Sequence, residues 1–250
     1  MCLIAWNWQP ASDTPLLLLG NRDEFYARPT RSLHWWDDGI ILAGQDLQAG
    51  GTWLGVSRSG RMAALTNVRA PGGMRDDTPS RGELVAAFLH NDGSAADFLQ
   101  ALAPRAQDYN PFNLLVFDGQ SLMGLHSSEA QPIALQPGIG AVSNASFDTR
   151  WPKLVQLKAR LSQQLHQNVM DDAALLALLH DRALVPDAAL PSTGVPLALE
   201  RSLSAAFIAM PGYGTRASSL VRIQQSSISF TEQGFSEAGM VGASHHRFTL

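Results

Sequence analysis

The first 25 residues show two apolar runs separated by turn-forming residues, a pattern that predicts a β-hairpin. The runs cover residues 3–8 and 16–20, and the segment between them, residues 9–15, contains two prolines, a serine and an aspartate. Short apolar runs bounded by such residues are typical of strands joined by a turn. Cys2 therefore stands at the first residue of a predicted strand. A second hairpin is predicted at residues 52–67, where Gly60 can adopt the positive φ of a tight turn.

The rest of the chain alternates between helical and strand periodicity. Helices are predicted after Ser80, which forms a capping box with Glu83, after Ser94, and over residues 152–167 and 171–180. Further strands are predicted over residues 112–117, 122–125, 138–142, 205–210, 218–224 and 227–231. Strands and helix pairs in this order, with hairpin connections, indicate an α+β fold with mainly antiparallel sheets. We expect one domain, residues 1–250, in which two sheets lie between two helical layers.

Composition narrows the classes of partner. The 250 residues are 45% hydrophobic and 16% charged, and the net charge of −4 comes without any basic run, which argues against nucleic-acid and anionic-membrane binding. The single cysteine excludes an internal disulfide and fits a reducing compartment. The opening residues lack a basic stretch, and their apolar run is too short for a signal peptide or a transmembrane helix. These features predict a cytoplasmic protein without stable membrane insertion.

Cys2 directly follows Met1, and its small side chain is compatible with removal of that methionine. Removal would place the thiol beside a free α-amine, whose ordinary pKa of about 7.7–8.0 suits it to accept the thiol proton near neutral pH. Because the thiolate is the nucleophilic form, one residue would hold both nucleophile and base. The alternative is a buried strand cysteine without a chemical role. The position of Cys2 alone does not separate the two interpretations.

Four consecutive polar residues, Asn21-Arg22-Asp23-Glu24, follow the second apolar run. If the strand continues through them, Asn21 and Asp23 lie on one face while Arg22 and Glu24 lie on the other. A carboxylate near Cys2 would anchor the ammonium group, whereas an arginine would lower the pKa of the thiol and bind an anionic substrate. The sequence leaves open which pair faces Cys2. A solvated strand end with local salt bridges is the alternative.

The tetrad, together with Met1-Cys2-Leu3-Ile4, resembles the signature of the NRDE family, also called the transport and Golgi organisation protein 2 family. Further matches span nearly the whole chain: Gly50-Gly51-Thr52-Trp53-Leu54-Gly55, Leu65-Thr66-Asn67, Tyr109-Asn110-Pro111-Phe112-Asn113-Leu114-Leu115, Ser143-Asn144 and Tyr213-Gly214-Thr215-Arg216. The resemblance implies the four-layer αββα sandwich of N-terminal-nucleophile hydrolases. It also implies a function in haem trafficking or in lipid or acyl-CoA metabolism.

The chain is more distantly similar to choloylglycine hydrolases and penicillin V acylases, cysteine enzymes of the same fold. That similarity implies a catalytic site made of Cys2, Arg22, Asp23, Asn67, Asn144 and Arg216. Amide groups of the two asparagines would stabilise a tetrahedral oxyanion, and the late arginine would orient the region of the nucleophile. One departure is that the arginine and the aspartate adjoin here, whereas two residues separate them in those hydrolases. Because strand side chains alternate, this departure changes which of the two side chains is expected to meet Cys2.

Two functional hypotheses follow. In the first, Cys2 attacks an amide or thioester carbonyl, Asp23 holds the α-amine, and water releases the acyl group, with no cofactor required. In the second, the site is a pocket for a haem or fatty-acyl ligand that the protein carries. Haem would bind non-covalently, with a histidine or Cys2 as axial ligand, because the chain has no c-type attachment motif. The histidines show no metal-ligand spacing, and His245-His246 are expected in a mobile tail.

Overall fold

The computed structural model describes residues 2–69 and 73–250, so the predicted loss of Met1 concerns a residue outside the described part of the chain. The strands are β1 (Cys2–Trp8), β2 (Leu16–Phe25), β3 (Thr30–Trp35), β4 (Ile41–Asp46), β5 (Leu54–Ser57), β6 (Met62–Asn67), β7 (Phe112–Phe117), β8 (Leu122–His126), β9 (Gln131–Ala134), β10 (Gly138–Val142), β11 (Ala209–Met210), β12 (Tyr213–Ile223), β13 (Ser227–Ser236) and β14 (Gly239–Thr249). The α-helices are α1 (Gly82–His90), α2 (Ala95–Leu102), α3 (Pro152–His166), α4 (Asp172–Ala177) and α5 (Leu197–Ser202). Short 3-10 helices cover Ala103–Asp108, Leu178–His180 and Asp187–Ala189.

The strands form two antiparallel sheets. One, here called the N-terminal sheet, has the order β10-β1-β2-β12-β13-β14, with β11 pairing β12. The other, the second sheet, runs from β3 to β9 in chain order. Hairpin connections explain the chain order of the second sheet, since each strand pairs with the one before it. In the N-terminal sheet, β2 lies between β1 and β12, so the first two strands of the chain are joined by strands from its end.

Alternating side chains of the sheets form three apolar cores. Between the sheets lie, among others, Ile4, Trp6 and Leu18 of the N-terminal sheet, with Val56 and Leu115 of the second sheet. The outer face of the N-terminal sheet packs against α3 and α4, and the outer face of the second sheet packs against α1 and α2. Strands buried on both faces have continuous apolar sequences, as residues 3–8 and 16–20 do. The four layers confirm the predicted αββα sandwich.

Three local predictions are wrong. Glu83 does not close a capping box, because α1 begins at Gly82 and Glu83 accepts a hydrogen bond from the Tyr109 hydroxyl (2.7 Å). Residues 205–210 contain only the two-residue strand β11, since β12 begins at Tyr213 and pairs over most of its length with β2. Finally, His245 and His246 do not lie in a mobile tail, because β14 pairs with β13 along its whole length.

Candidate active site

Cys2 is held at the first residue of β1 by contacts on both sides. It lies directly opposite Arg22 on β2, and the Ser143 hydroxyl, just beyond β10, lies 3.0 Å from the Cys2 carbonyl oxygen. Directly opposed residues of antiparallel strands project to the same face of a sheet. Cys2 belongs to the core between the sheets and is only 6% exposed. The thiol and the Arg22 side chain therefore share the inner face of the N-terminal sheet.

Arg22 is fixed on that face by carboxylates. Its Nη2 lies 3.2 Å from Oδ2 of Asp46 and 4.0 Å from Oε2 of Glu24. Arg28 binds the same Asp46 oxygen through Nε, at 2.6 Å. Nη1 of Arg22 is buried and, within the described residues, has no hydrogen-bond partner. A buried donor of this kind beside the thiol suits an oxygen atom of a bound ligand.

Asp23 and Asn21 lie on the opposite face of β2, toward the helices. Asn21 is completely buried and donates to the carbonyl oxygens of Leu179 and Ala206, each at 2.8 Å. Asp23 is 1% exposed and accepts a hydrogen bond from the Thr215 hydroxyl at 2.7 Å. The structure thus answers the question that the sequence left open: Arg22 lies on the same face of the sheet as the Cys2 thiol, and Asp23 lies on the opposite face, toward the helices.

The two predicted oxyanion residues come together beside Cys2. Asn67 ends β6, and its carbonyl oxygen accepts a hydrogen bond from Nδ2 of Asn144 (2.8 Å). The hydroxyl of Ser143 lies within hydrogen-bond distance of both the Cys2 carbonyl and Oδ1 of Asn144. Asn144 uses one of its two amide hydrogens in this way, and the second is left for another acceptor. The structure therefore connects Asn67, Asn144 and Cys2 through adjoining polar contacts.

A polar network that the sequence did not reveal supports these asparagines from the second sheet. Thr66 donates to the Ser143 carbonyl (2.5 Å), and Nδ2 of Asn113 lies near Thr66 and the carbonyls of Ser143 and Ala145. His126 is hydrogen-bonded through Nδ1 to Oδ1 of Asn113 at 2.6 Å. The only signal for this network is a few polar positions within apolar strands. It fixes the segment after β10 against β6, β7 and β8.

Arg216 does not contact Cys2. It stands at an irregularity in the pairing of β12 with β2, and its Nη1 donates to the carbonyls of Phe25, Tyr26 and Arg28. Burial lowers the pKa of Arg216, and the nearby Arg22 lowers it further. Arg216 therefore orders the turn after β2. Arg28 in that turn binds the Asp46 carboxylate, which also binds Arg22. Among the described residues, the contacts of Arg216 reach Cys2 through this turn and through Arg22.

Burial dominates the electrostatics of the thiol. In the full chain, burial and, to a smaller extent, the Asp23 carboxylate raise the pKa of Cys2 to about 11, although Arg22 and the backbone N–H of Asp23 oppose the rise. A thiol with this pKa is almost entirely protonated at neutral pH. A base close to the sulfur is therefore needed before Cys2 can act as a nucleophile.

Lys153 is a buried cation that sequence reasoning missed. It stands in the first turn of α3, is 6% exposed, and donates from Nζ to the carbonyl oxygen of Leu203 (3.0 Å). Burial lowers its pKa to about 8, while the charge of Asp23 opposes that change. A lysine near the start of an amphipathic helix is normally solvated, so the local pattern did not predict its burial.

A cleft of about 730 Å³ lies beside Asn144. Its lining residues are Val68, Arg69, His126, Asn144, Ala145, Ser146, Arg150, Trp151, Pro152, Ala189, Leu190, Pro191, Ser192, Thr193 and Gly194. The last six are consecutive and form a loop, residues 189–194, that is part of the cleft wall. The volume falls in the range of small-molecule sites, and the lining mixes apolar groups with a few polar ones.

Within residues 2–69 and 73–250, no group of three His, Cys, Asp or Glu side chains is placed to hold a metal ion. No helix in that part of the chain is long and apolar enough to cross a membrane.

Comparison with known proteins agrees with this architecture. The sequence pattern of the transport and Golgi organisation 2 family matches residues 1–237. The transport and Golgi organization protein 2 homologs of Homo sapiens and Bos taurus are 33% and 32% identical, over 93% of this chain and 92% of each relative. A mutant of conjugated bile acid hydrolase from Clostridium perfringens superposes with a TM-score of 0.57 at 9% identity, over 100% of this chain and 96% of that chain. A Caenorhabditis elegans ortholog of N-acylethanolamine-hydrolyzing acid amidase gives 0.53 at 11% identity, over 88% and 92%.

At such low identity the structural likeness concerns the fold alone, which is that of N-terminal-nucleophile hydrolases. The sequence likeness extends over almost the whole of this chain and of its relatives. The chain therefore belongs to the transport and Golgi organisation 2 family.

Proposed function

We propose that the protein is a cysteine hydrolase that cleaves an amide or thioester of an acyl group through Cys2, after removal of Met1. The observation that carries this proposal is the convergence of predicted residues from distant parts of the chain. Cys2 begins a central strand, Arg22 lies opposite it on the same face, and the Asn67–Asn144 pair adjoins it. A cysteine that was merely core would not need this set of buried polar neighbours.

The proposed reaction uses the new α-amine as the base. The amine takes the thiol proton, and the thiolate adds to the substrate carbonyl, forming a tetrahedral oxyanion. Amide N–H groups of Asn67 and Asn144 stabilise that oxyanion, and collapse transfers the proton to the departing amine or thiol. Water then adds to the acyl-cysteine, and the same residues serve the second half of the reaction. Asp23 stabilises the ammonium form of the α-amine.

The cleft provides a place for the acyl part of the substrate. Trp151, Leu190 and Pro191 supply apolar surface, and Asn144, which also lines the cleft, is linked to Cys2 through the Ser143 hydroxyl. Burial of an acyl chain there is favourable by roughly 25 cal/mol for each Å² of apolar surface removed from water. A reducing compartment such as the cytoplasm would keep the lone thiol active.

A second candidate, a non-enzymatic carrier of haem or of a fatty-acyl ligand, is supported by one imidazole in the cleft. Asn113 directs its amide nitrogen at three oxygen atoms, so its Oδ1 accepts and Nδ1 of His126 is the donor. The lone pair is then on Nε2, and burial lowers the pKa of His126, which keeps the ring neutral. His126 would bind the iron, and Arg150 would pair with a propionate. This donor set fits haem, and bound iron would supply ligand exchange at the metal.

The two candidates are separated by one set of measurements. Mass spectrometry of the purified protein establishes whether Met1 is removed, and hydrolysis of N-acyl amides and acyl thioesters of varied chain length is compared between wild type and Cys2→Ala. We expect loss of at least about 10³-fold in kcat for Cys2→Ala, as nucleophile removal usually causes. Retained Met1 in active protein, or full turnover by Cys2→Ala, would contradict the hydrolase. Titration with haem tests the carrier: a saturable Soret shift that is lost in His126→Ala would favour it.

A further inference from the structure

Lys153 is a charged group that the proposed reaction has not used. It lies on the helix side of the N-terminal sheet, the same side as Asp23, and both side chains are almost completely buried. Among the described residues, the one hydrogen bond of its ammonium group is to the Leu203 carbonyl. An ammonium group has three donors, and leaving a charge of this kind buried costs several kcal/mol unless other charges compensate it.

The segment from Leu203 to Ile208 connects the lysine with the layer beneath Cys2. The carbonyl of Leu203 accepts from Lys153, and the carbonyl of Ala206 accepts from Asn21. The backbone N–H of Ile208 donates to the Thr215 hydroxyl, which in turn donates to Asp23 at 2.7 Å. Residues 203–208 thus contact the Lys153 ammonium group directly and the Asp23 carboxylate through Thr215.

The charges that face Lys153 come from four parts of the chain. Asp23 on β2 and Glu200 on α5 are negative, and Arg69, after β6, is positive and pairs with Glu200 at 2.7 Å. The Trp151 ring lies 5.9 Å from Nζ, and Cys2 would favour the charged lysine only when ionised to the thiolate. Glu200 is paired with Arg69, and Asp23 is the other anion that faces Lys153.

We propose that Lys153 is a positioning residue that keeps the buried Asp23 carboxylate ionised, so that Asp23 can hold the α-ammonium group of the mature Cys2. This inference rests on the proposed function for its catalytic meaning, but the coupling between the three groups exists whether or not a substrate is turned over. Burial raises the pKa of Asp23 and the charge of Lys153 opposes that rise, so loss of the lysine shifts position 23 toward the neutral acid, which binds the α-ammonium group more weakly. The α-ammonium group then loses its proton at lower pH.

The sequence makes this coupling directly measurable. Cys2 is the only cysteine, and Lys153 and Lys158 are the only lysines. Protein labelled with ¹³C in cysteine therefore gives one Cα signal that titrates with the α-amine, and protein labelled in lysine gives two side-chain signals. Lys158 is the matched control, because it lies on the same helix but is partly exposed and paired with Asp148.

The test compares the pKa of the Cys2 α-amine in mature wild type, Lys153→Met and Lys158→Met. We expect Lys153→Met to lower this pKa by about one unit or more, a tenfold change in proton affinity, and Lys158→Met to leave it unchanged. In an Asp23→Asn background, Lys153→Met should have no further effect. An equal α-amine pKa in wild type and Lys153→Met, or a shift that persists in the Asp23→Asn background, would overturn the inference.

Two further measurements keep the test decisive. If Lys153→Met does not fold, Asp23→Asn with labelled lysine replaces it, because coupling is reciprocal and the pKa of Lys153 must then fall by about one unit. An unchanged lysine pKa in that variant would contradict the inference. Measurements of turnover separate the role of Lys153 from the hydrolase proposal. If Lys153, Asp23 and the α-amine are coupled but the protein cleaves no substrate, only the proposed reaction is refuted. If the protein is fully active but the three groups are not coupled, only the role of Lys153 is refuted.

Discussion

Asp46 is a single carboxylate that sets the orientation of the arginine facing the thiol. Its Oδ2 binds Arg28 at 2.6 Å and Arg22 at 3.2 Å, and its Oδ1 accepts the backbone N–H groups of Gln48 and Ala49 at 3.0 Å. Burial opposes ionisation of Asp46, but the hydrogen bonds from Arg28 and Ala49 outweigh it and lower the pKa. Asp46 thus stays charged and holds Arg22 on the inner face of the sheet.

Asp46→Asn is expected to destabilise the protein by about 2 kcal/mol at pH 7, between the values for exposed and buried ion pairs. The pKa of Asp46 is lower in the folded than in the unfolded protein, so its stabilisation is present above the unfolded value of about 4 and is lost as the pH falls through the folded value. Urea unfolding at about pH 7 and about pH 3 should show the difference between variant and wild type shrinking with acid.

The exposed pair of Arg105 and Asp108, at 3.4 Å, supplies the control for this measurement. Asp108→Asn should change the free energy of unfolding by less than about 0.5 kcal/mol at either pH. A loss in Asp46→Asn no larger than that of the control would show that Asp46 does not hold the two arginines in solution.

At the scale of elements, the buried ion pair between Glu200 and Arg69 connects the loop of residues 189–194 with Asn144. Glu200 on α5 accepts the backbone N–H of Thr193 at 2.9 Å and also accepts its hydroxyl. The same carboxylate pairs with Arg69 at 2.7 Å, and Arg69 donates its backbone N–H to the Asn144 carbonyl. The wall of the cleft and Asn144 are therefore joined through Arg69.

Glu200→Gln is expected to loosen this loop, because it leaves the Arg69 charge buried without its carboxylate. Breaking a buried pair in this way costs about 3 kcal/mol. Hydrogen exchange of the Thr193 amide should accelerate by roughly 100-fold, and KM for any cleaved substrate should rise because the cleft wall is less often in place.

Asp187→Asn is the matched control, since Asp187 forms an exposed ion pair with Arg201, the residue next to Glu200. It should leave the exchange of Thr193 unchanged. Equal protection of the Thr193 amide in wild type and Glu200→Gln would mean that the loop is held by packing alone.

The hairpin at Cys2 and the opposite faces of Arg22 and Asp23 could be predicted from local pattern, because strand alternation is a local property. The order of the elements was predicted only in part, since β3, β4, β9, β14 and α5 were not among the predicted elements. The pairing of Cys2 with Arg22 could not be predicted, since register depends on how the turn at residues 9–15 folds. The catalytic roles of the site residues stay predictions. Burial of Lys153 was also out of reach, because the residues that cover it are about 50 positions further along the chain.

At the scale of the whole molecule, the two sheets are held together by aromatic side chains that require small neighbours. Trp6 lies opposite Gly140 across the β1–β10 pair, and a Cβ atom at Gly140 would lie 2.2 Å from the Trp6 ring. Trp6 is 1% exposed and makes an edge contact with Phe147, with ring centroids 6.3 Å apart. The core between the sheets therefore fixes the end of β10 that leads to Ser143 and Asn144.

Gly140→Ala is expected to destabilise the whole fold by about 3 kcal/mol, because the added methyl group forces the Trp6 ring from its place in a close-packed core. Gly242→Ala provides the comparison, since nothing lies within 4 Å of a Cβ atom there, and its effect should stay below about 0.5 kcal/mol. Thermal and urea unfolding of both variants measure the difference. Similar stability of the two variants would show that the inter-sheet core yields easily around Trp6.

The last strand, β14, lies at the open edge of the N-terminal sheet. It carries His245, His246 and Arg247 in succession and reaches across to the second sheet, where Phe248 meets the ring of Trp35 at 5.0 Å. Unpaired sheet edges are templates for the strands of other molecules, and polar or charged residues along an edge discourage such pairing. The neighbouring strand, β13, carries the buried Ile228 and Phe230 and would be the edge in the absence of β14. We therefore expect the polar residues near the end of β14 to disfavour pairing of this sheet edge with another chain.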